Sequence, residues 1–169
     1  MKVIDFFRII SILLAIVGLT FLIPIITALV YAEYSVIPAF LVPMCSAFLF
    51  FLIFFIPFRH RKINLSIRST FVIVAGAWIS ASFMGAVPLY FSDCGLSITN
   101  AVFESFSGFT TTGATVIENV EALPNSINMW RCMTHWLGGM GIVTLTVALL
   151  PLLGVGGFQL IKAETPGPE

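Results

Sequence analysis

Two segments separated by Ser107 decide the fold: ITNAVFESF, from Ile98 to Phe106, and then GFTTTGAT, from Gly108 to Thr115. The first has helical character, with Ser97 or Thr99 as its N-cap and Gly108 as its C-cap. A helix of some 10 or 11 residues rises only about 16 Å, half the hydrocarbon thickness of a membrane. We therefore predict a re-entrant half-helix that enters the membrane and turns back.

The segment that follows the half-helix is rich in Thr and Gly, which continue a helix poorly. Gly113 can adopt a positive φ angle that strains other residues. An extended backbone leaves carbonyl groups unpaired, which lipid does not tolerate but a water-filled cavity does. The half-helix also directs the negative end of its dipole here. We predict a cation filter at residues 110–115, where Thr111 and Gly113 align with the TVGYG loop of potassium channels.

The composition agrees with a membrane protein. Hydrophobic residues make up 59% of the 169 residues and charged residues only 9%, against about 25% in an ordinary globular domain. So few charges exclude a soluble enzyme, a disordered tail and a disulfide-stapled secreted module. The formal net charge of zero gives no reason to expect a nucleic-acid partner.

Four apolar runs of 20 to 22 residues are each long enough to cross a bilayer, which needs about 20. They extend from Ile9 to Val30, Ile37 to Phe58, Phe71 to Phe91 and Trp136 to Val155, the last reaching back to Ile127. We expect an all-α membrane protein with four transmembrane helices, one re-entrant pore half-helix and a filter loop. Residues 1–66 would form two leading helices, and residues 67–169 one helix-pore-helix repeat.

The basic residues predict the orientation. Seven of the eight fall on one side, which the positive-inside rule makes cytoplasmic, together with both termini. Arg131 alone lies outside, with five acidic residues. These acids either concentrate cations at the outer mouth or simply remain where topology excludes Lys and Arg. Trp130 and Trp136 suit an aromatic belt at the outer interface.

Glu104 lies within the half-helix, where an unpaired buried carboxylate would be expensive. Arg131 and His135 are its two candidate partners. Glu104 is interpreted either as a brace that holds the half-helix or as an ion ligand. The glycines at 138, 139 and 141 indicate either close packing against the wall of the filter or a hinge.

The chain lacks the usual sequence signs of an enzyme. It has no serine nucleophile motif, paired aspartates, HExxH motif or phosphate-binding loop, and its three Cys and two His lack metal-ligand spacing. We therefore expect no catalytic activity and no bound cofactor.

Three stretches resemble the Trk/Ktr/HKT superfamily of potassium transporters, and within it the Trk-type uptake subunit. They are FESFSGFTTTGATV from Phe103, MWRCMTHWLGGMGIVTLTVALLPLLGVGGFQL from Met129, and AETPGP from Ala163. The resemblance implies four unequal helix-pore-helix repeats around one pore, with potassium as the substrate. It also implies that Thr111, Thr112 and Gly113 present filter oxygens beside Thr110. Of these, Thr111 and Thr112 would contact potassium through backbone and hydroxyl oxygens, with Glu104 and Arg131 as structural support.

The resemblance further implies a multi-pass protein of the bacterial inner membrane, in contact with lipid. The full-length protein would be a homodimer that works with a cytosolic nucleotide-binding regulatory subunit. We expect the chain to be the N-terminal portion of such a transporter, since it contains one repeat. Two alternatives are a non-transporting membrane assembly module and a short subunit that forms a homotetrameric cation channel.

Overall fold

The computed structural model describes residues 3–59, 67–92 and 94–152, with the backbone alone described at residues 67 and 142–152. These ranges contain helices and no strand, in agreement with the predicted all-α class. The six α-helices are α1 (Val3–Thr20), α2 (Leu22–Val30), α3 (Ile37–Phe55), α4 (Ile67–Phe91), α5 (Ile98–Phe109) and α6 (Asn125–Leu152). Two short 3-10 turns, Tyr34–Val36 and Val120–Ala122, precede α3 and α6.

Three helical stretches within the described ranges are long and apolar enough to cross a membrane: Val3–Val30, Tyr34–Phe55 and Arg68–Phe91. They correspond to the first three predicted runs. The fourth run lies within α6 as far as residue 152, and residues 153–155 fall outside the described part of the chain.

The first stretch is interrupted at Phe21, between α1 and α2. Pro24 explains the break, because a proline lacks the N–H that would bond the carbonyl of Thr20 and its ring clashes with that carbonyl. The chain tightens there instead, with the Phe21 N–H donating to the carbonyl of Gly18 at 3.3 Å.

The core draws its buried side chains from α3, α4, α5 and α6 and from Phe21 between α1 and α2, and Trp130 is at its centre. Its side chain is fully buried, and its ring centroid lies 4.3 Å from that of Phe21 and 6.2 Å from that of Phe109. The indole N–H donates to the carbonyl of Gly85 at 2.9 Å. The interfacial position predicted for Trp130 is therefore wrong, because α6 turns this face inward; Trp136 is 58% exposed.

Small residues let α5 lie close to both α4 and α6. A Cβ atom on Gly85 of α4 would come within 2.7 Å of Ser105 Oγ and of the Phe109 ring. On the α6 side, a Cβ on Gly138 would overlap the backbone carbonyl of Phe109, whereas one on Gly139 would meet nothing within 4 Å. Gly138 thus serves close packing, and α6 continues through it as one helix.

Candidate functional site

The half-helix α5 begins and ends at defined caps. The Ser97 hydroxyl accepts a hydrogen bond from the Asn100 N–H at 3.2 Å, so Ser97 rather than Thr99 is the N-cap. The 12 residues rise about 18 Å, little more than half of a hydrocarbon core. The predicted stop at Gly108 is wrong by a short distance, since the helix continues to Phe109 with Thr110 as its C-cap.

A Schellman motif ends α5. The Thr112 N–H donates to the carbonyl of Ser107 and the Thr111 N–H to that of Gly108, both at 2.9 Å. Thr111 takes the left-handed position of this motif with a φ of +56°. The turn is therefore fixed by backbone bonds one residue after the cap, and Thr111 occupies a place that usually belongs to glycine.

After the turn, the chain runs back toward the residues that precede α5. A cavity of about 500 Å³ is lined on one side by residues 94–96 and on the other by residues 116–119 and 122–124. The Asn128 side-chain amide of α6 donates to the carbonyl of Val120 at 2.8 Å and holds the returning segment. The segment after α5 therefore runs back beside the residues that precede this helix.

The Thr-Gly segment that the sequence predicts to be a filter is exposed along residues 110–116. Gly113 has a φ of +76°. No described residue donates a hydrogen bond to the carbonyl oxygens of Thr111, Thr112 or Gly113. Three consecutive backbone oxygens thus accept no hydrogen bond from the described part of the chain, and they lie at the carboxyl end of a short helix, where the helix dipole is negative.

The threonine hydroxyls in this segment differ in their bonding. The Thr110 hydroxyl donates to the Phe106 carbonyl at 2.7 Å and lies 2.8 Å from the Thr112 hydroxyl. A hydroxyl has one proton, so the proton of the second bond comes from Thr112. The Thr112 hydroxyl oxygen can therefore still accept a hydrogen bond or contact a cation. The Thr110 hydroxyl proton is used in the bond to the Phe106 carbonyl at the end of α5.

Glu104 joins three segments, namely α5, α6 and the residues that follow the Thr-Gly turn. Its carboxylate is only 3% exposed and pairs with Arg131 of α6, whose Nη2 and Nε lie 2.6 and 2.8 Å from the same oxygen. The Thr115 hydroxyl lies 3.0 Å from each carboxylate oxygen, and the Val116 N–H donates at 3.2 Å. His135 Nδ1 instead lies 2.9 Å from the Arg131 carbonyl, so the pairing selects Arg131 from the two candidates.

Two buried serines bond α5 to other segments, Ser105 to α4 and Ser107 to the residues after the turn, and no sequence pattern indicated either bond. The Ser105 hydroxyl donates to the carbonyl of Ser82 in α4 at 2.7 Å. The Ser107 hydroxyl donates to the carbonyl of Ala114 at 2.5 Å. Serines in apolar helices are common, and only the tertiary fold shows which carbonyl each one meets.

Glu33, which the sequence analysis counted only among the external acids, caps α6 from the loop before α3. One carboxylate oxygen accepts from the backbone and side-chain amides of Asn125 at 2.7 and 3.2 Å, and the other from the Ser126 N–H and hydroxyl at 3.0 and 2.5 Å. Burial alone would raise the pKa of Glu33, but these hydrogen bonds outweigh it and the pKa lies below the ordinary value of 4.5. The bonds and the positive end of the helix dipole both favour the charged carboxylate.

The sequence of this chain matches a known protein family. The family sequence model described as "TrkH: Cation transport protein" matches residues 36–169, most of the chain. The chain belongs to the TrkH cation transport family. The match includes α3 to α6 and the filter segment.

Individual members of the TrkH family are similar to this chain in sequence and in structure. The chain is 42% identical over 166 residues to the Trk system potassium uptake protein TrkH of Vibrio parahaemolyticus, and 43% identical over 162 residues to that of Escherichia coli K12; each alignment covers 95% of this chain and 33% of the relative. The crystal structure of the potassium transporter TrkH from Vibrio parahaemolyticus superposes with a TM-score of 0.84 at 38% identity, over 98% of this chain and 34% of that one. The chain therefore spans about a third of the length of these TrkH relatives.

Proposed function

We propose that this chain supplies one filter segment of a potassium-uptake protein of the bacterial inner membrane. Potassium would pass inward through a pore that several such segments surround, driven by the membrane potential at about 2.3 kcal/mol per charge per 100 mV. Residues 67–169 form one helix-pore-helix repeat in this proposal, and residues 1–66 the two helices before it.

The observation that carries the proposal is the row of carbonyls at Thr111, Thr112 and Gly113, to which no residue in the described ranges donates a hydrogen bond. Backbone oxygens of this kind replace the hydration shell of a potassium ion in a selectivity filter. An assembly module would instead pack this segment against another helix, and residues 110–116 are exposed in the described structure. The names of the TrkH relatives, which are potassium uptake proteins, point to the same ion.

The residues have distinct roles in this proposal. Thr111, Thr112 and Gly113 present backbone oxygens to the ion, and the hydroxyl of Thr112 has acceptor capacity left for it. Thr110 closes the half-helix beside them. Glu104 and Arg131 brace the far end of the filter through Thr115, and the pairing of Glu104 with Arg131 favours this role over that of an ion ligand.

The wider setting rests on the family resemblance. We propose that both termini are cytoplasmic, that the full-length protein is a dimer in contact with membrane lipid, and that a cytosolic nucleotide-binding subunit regulates it. The chain's contribution would be transport rather than catalysis, with potassium as substrate and no cofactor of its own.

The test is growth of a potassium-uptake-deficient bacterium on low potassium, with the full-length protein carrying Gly113→Ala. A Cβ meets nothing within 4 Å at this position, but a φ of +76° strains alanine, by about 1–2 kcal/mol. The strain would turn the filter carbonyls, so we expect potassium-dependent growth to be lost at normal expression.

The matched control is Gly95→Ala, which has a φ of +68° and the same open space but lies before α5. It introduces the same backbone strain away from the filter, so growth should be retained. Normal growth with Gly113→Ala, or no growth with the unmodified full-length protein, contradicts the proposal.

A further inference from the structure

Ser107 holds both sides of the turn centred on Gly113. Its backbone carbonyl accepts from the Thr112 N–H at 2.9 Å, and its hydroxyl donates to the carbonyl of Ala114 at 2.5 Å. Ser107 itself is only 6% exposed. One buried residue thus binds the residue before Gly113 and the residue after it.

The hydrogen bond from Ser107 makes the Ala114 carbonyl different from the three carbonyls that precede it. The Ser107 hydroxyl has a single proton, and the bond directs it at Ala114. The Ala114 oxygen therefore has a partner on the α5 side, whereas the carbonyls of Thr111, Thr112 and Gly113 have none among the described residues. Ala114 is the fourth residue of the five that align with TVGYG.

We propose that Ser107 is a positioning residue of the filter, which holds the Ala114 carbonyl toward α5. This segment then offers a dehydrated cation the three carbonyls of Thr111, Thr112 and Gly113, and not a fourth. The inference rests on the proposed filter function. Loss of the hydroxyl would free the Ala114 carbonyl and loosen the Gly113 turn, which would relax the oxygen spacing that distinguishes potassium from sodium.

The experiment measures potassium and sodium uptake into proteoliposomes that contain the full-length protein, unmodified or with Ser107→Ala. We expect the ratio of potassium to sodium uptake to fall about fivefold, the factor that one typical hydrogen bond is worth. Ser107→Thr, which keeps a hydroxyl, should recover most of the ratio.

Ser105→Ala is the matched control. Ser105 is fully buried two positions earlier on α5, and its hydroxyl bonds to the Ser82 carbonyl of α4 rather than to the filter. Its removal should lower thermal stability and leave the uptake ratio unchanged. An equal fall of the ratio in Ser105→Ala would show that the position of α5, and not the bond to Ala114, sets selectivity.

An unchanged ratio in folded Ser107→Ala protein also overturns the inference. A second measurement does not depend on how that variant folds: a structure of the unmodified full-length protein with rubidium bound. We expect rubidium beside the carbonyls of Thr111, Thr112 and Gly113, and a rubidium ion coordinated by the Ala114 carbonyl would contradict the inference. Failure of the unmodified protein to take up potassium would instead contradict the proposed function.

Discussion

Thr111 adopts a left-handed backbone conformation, which is rare for a β-branched residue. Such strain persists only where the surroundings over-determine it. Here the two Schellman bonds fix the turn, and the Thr111 methyl group lies beside Gly138. The proposed filter therefore starts at a residue whose conformation is held by its neighbours against its own preference.

Replacing Thr111 with glycine should relieve this strain. We expect Thr111→Gly to raise the free energy of unfolding of the full-length protein by about 1 kcal/mol and to weaken potassium selectivity, since glycine lets the turn move. Thermal unfolding in detergent and ion competition in proteoliposomes measure the two effects.

Ala32 provides the control, because it occupies the left-handed position of the turn that ends α2, with a φ of +57°. Ala32→Gly should stabilise by a similar amount and leave selectivity unchanged. Destabilisation by Thr111→Gly alone would mean that packing of the threonine side chain outweighs its backbone strain.

Glu104 and Arg131 depend on each other, since their side chains are 3% and 15% exposed. Removing one partner of such a pair leaves a poorly solvated charge, which costs about 3–5 kcal/mol. We expect Glu104→Gln to reduce stability toward denaturant by about 3 kcal/mol on this basis. The double variant with Arg131→Gln should recover part of the loss, because no charge is left unpaired; a double variant as unstable as the sum of both single variants would contradict this.

At the scale of the elements, α6 is positioned from two directions. Glu33 holds its first residues, and Gly138 lets it approach the carboxyl end of α5. Trp130 lies between these points and bonds α4. The helix α6 is thus fixed at its first residues, at Trp130 and at its contact with the end of α5, which suits a rigid support of the proposed filter better than a hinge.

The Glu33 cap predicts a pH dependence. Because the folded protein lowers the pKa of Glu33 below 4.5, the cap stabilises fully above that pH and loses its effect as the pH falls through the lowered pKa. We expect Glu33→Gln to cost about 1 kcal/mol at neutral pH, a typical value for a helix cap, and less near pH 4.

Thermal unfolding of both proteins over this pH range measures the difference. Glu121→Gln is the control, since Glu121 is exposed and its replacement should have no such pH dependence. A Glu33→Gln effect that is constant from pH 7 to below the pKa would contradict the assigned cap.

At the scale of the whole molecule, the two ends differ in charge. The Arg8 guanidinium donates to the Arg59 carbonyl at 2.9 Å and brings the start of α1 to the end of α3. Glu33 and Glu104 are bonded to α6 residues 125, 126 and 131, near the other end of that bundle. Arg8 and Arg59 therefore lie at one end of the bundle, and Glu33 and the Glu104–Arg131 pair lie near the other.

This separation predicts the accessibility of the loops in cells. In a cysteine-free full-length protein, Glu121→Cys should react with a membrane-impermeant thiol reagent added outside, and Lys62→Cys should react only after permeabilisation. Labelling of both positions from outside would contradict cytoplasmic termini. Mass-shift gels of intact and permeabilised cells measure the difference.

Much of this fold can be predicted from the sequence, because it depends on the properties of residues that are close together in the chain. Hydropathy and length predict the spans, because a bilayer core requires about 20 apolar residues in each. The half-helix follows from its short length between two spans, and the filter turn from Thr and Gly residues that cannot continue it. Even so, Pro24 breaks the first helix, and α5 ends at Phe109 instead of Gly108.

The sequence by itself determined that the chain is an all-α membrane protein with a short helix before a Thr-Gly turn, since these features depend on neighbouring residues. Only the tertiary structure decided what lies behind that turn: Arg131 as the partner of Glu104, Ser107 bound to Ala114, Glu33 capping α6, and Trp130 in the core. Each of these depends on which helix faces meet. A carboxylate or hydroxyl can bond any donor or acceptor within reach, and packing alone decides which groups come within 3 Å.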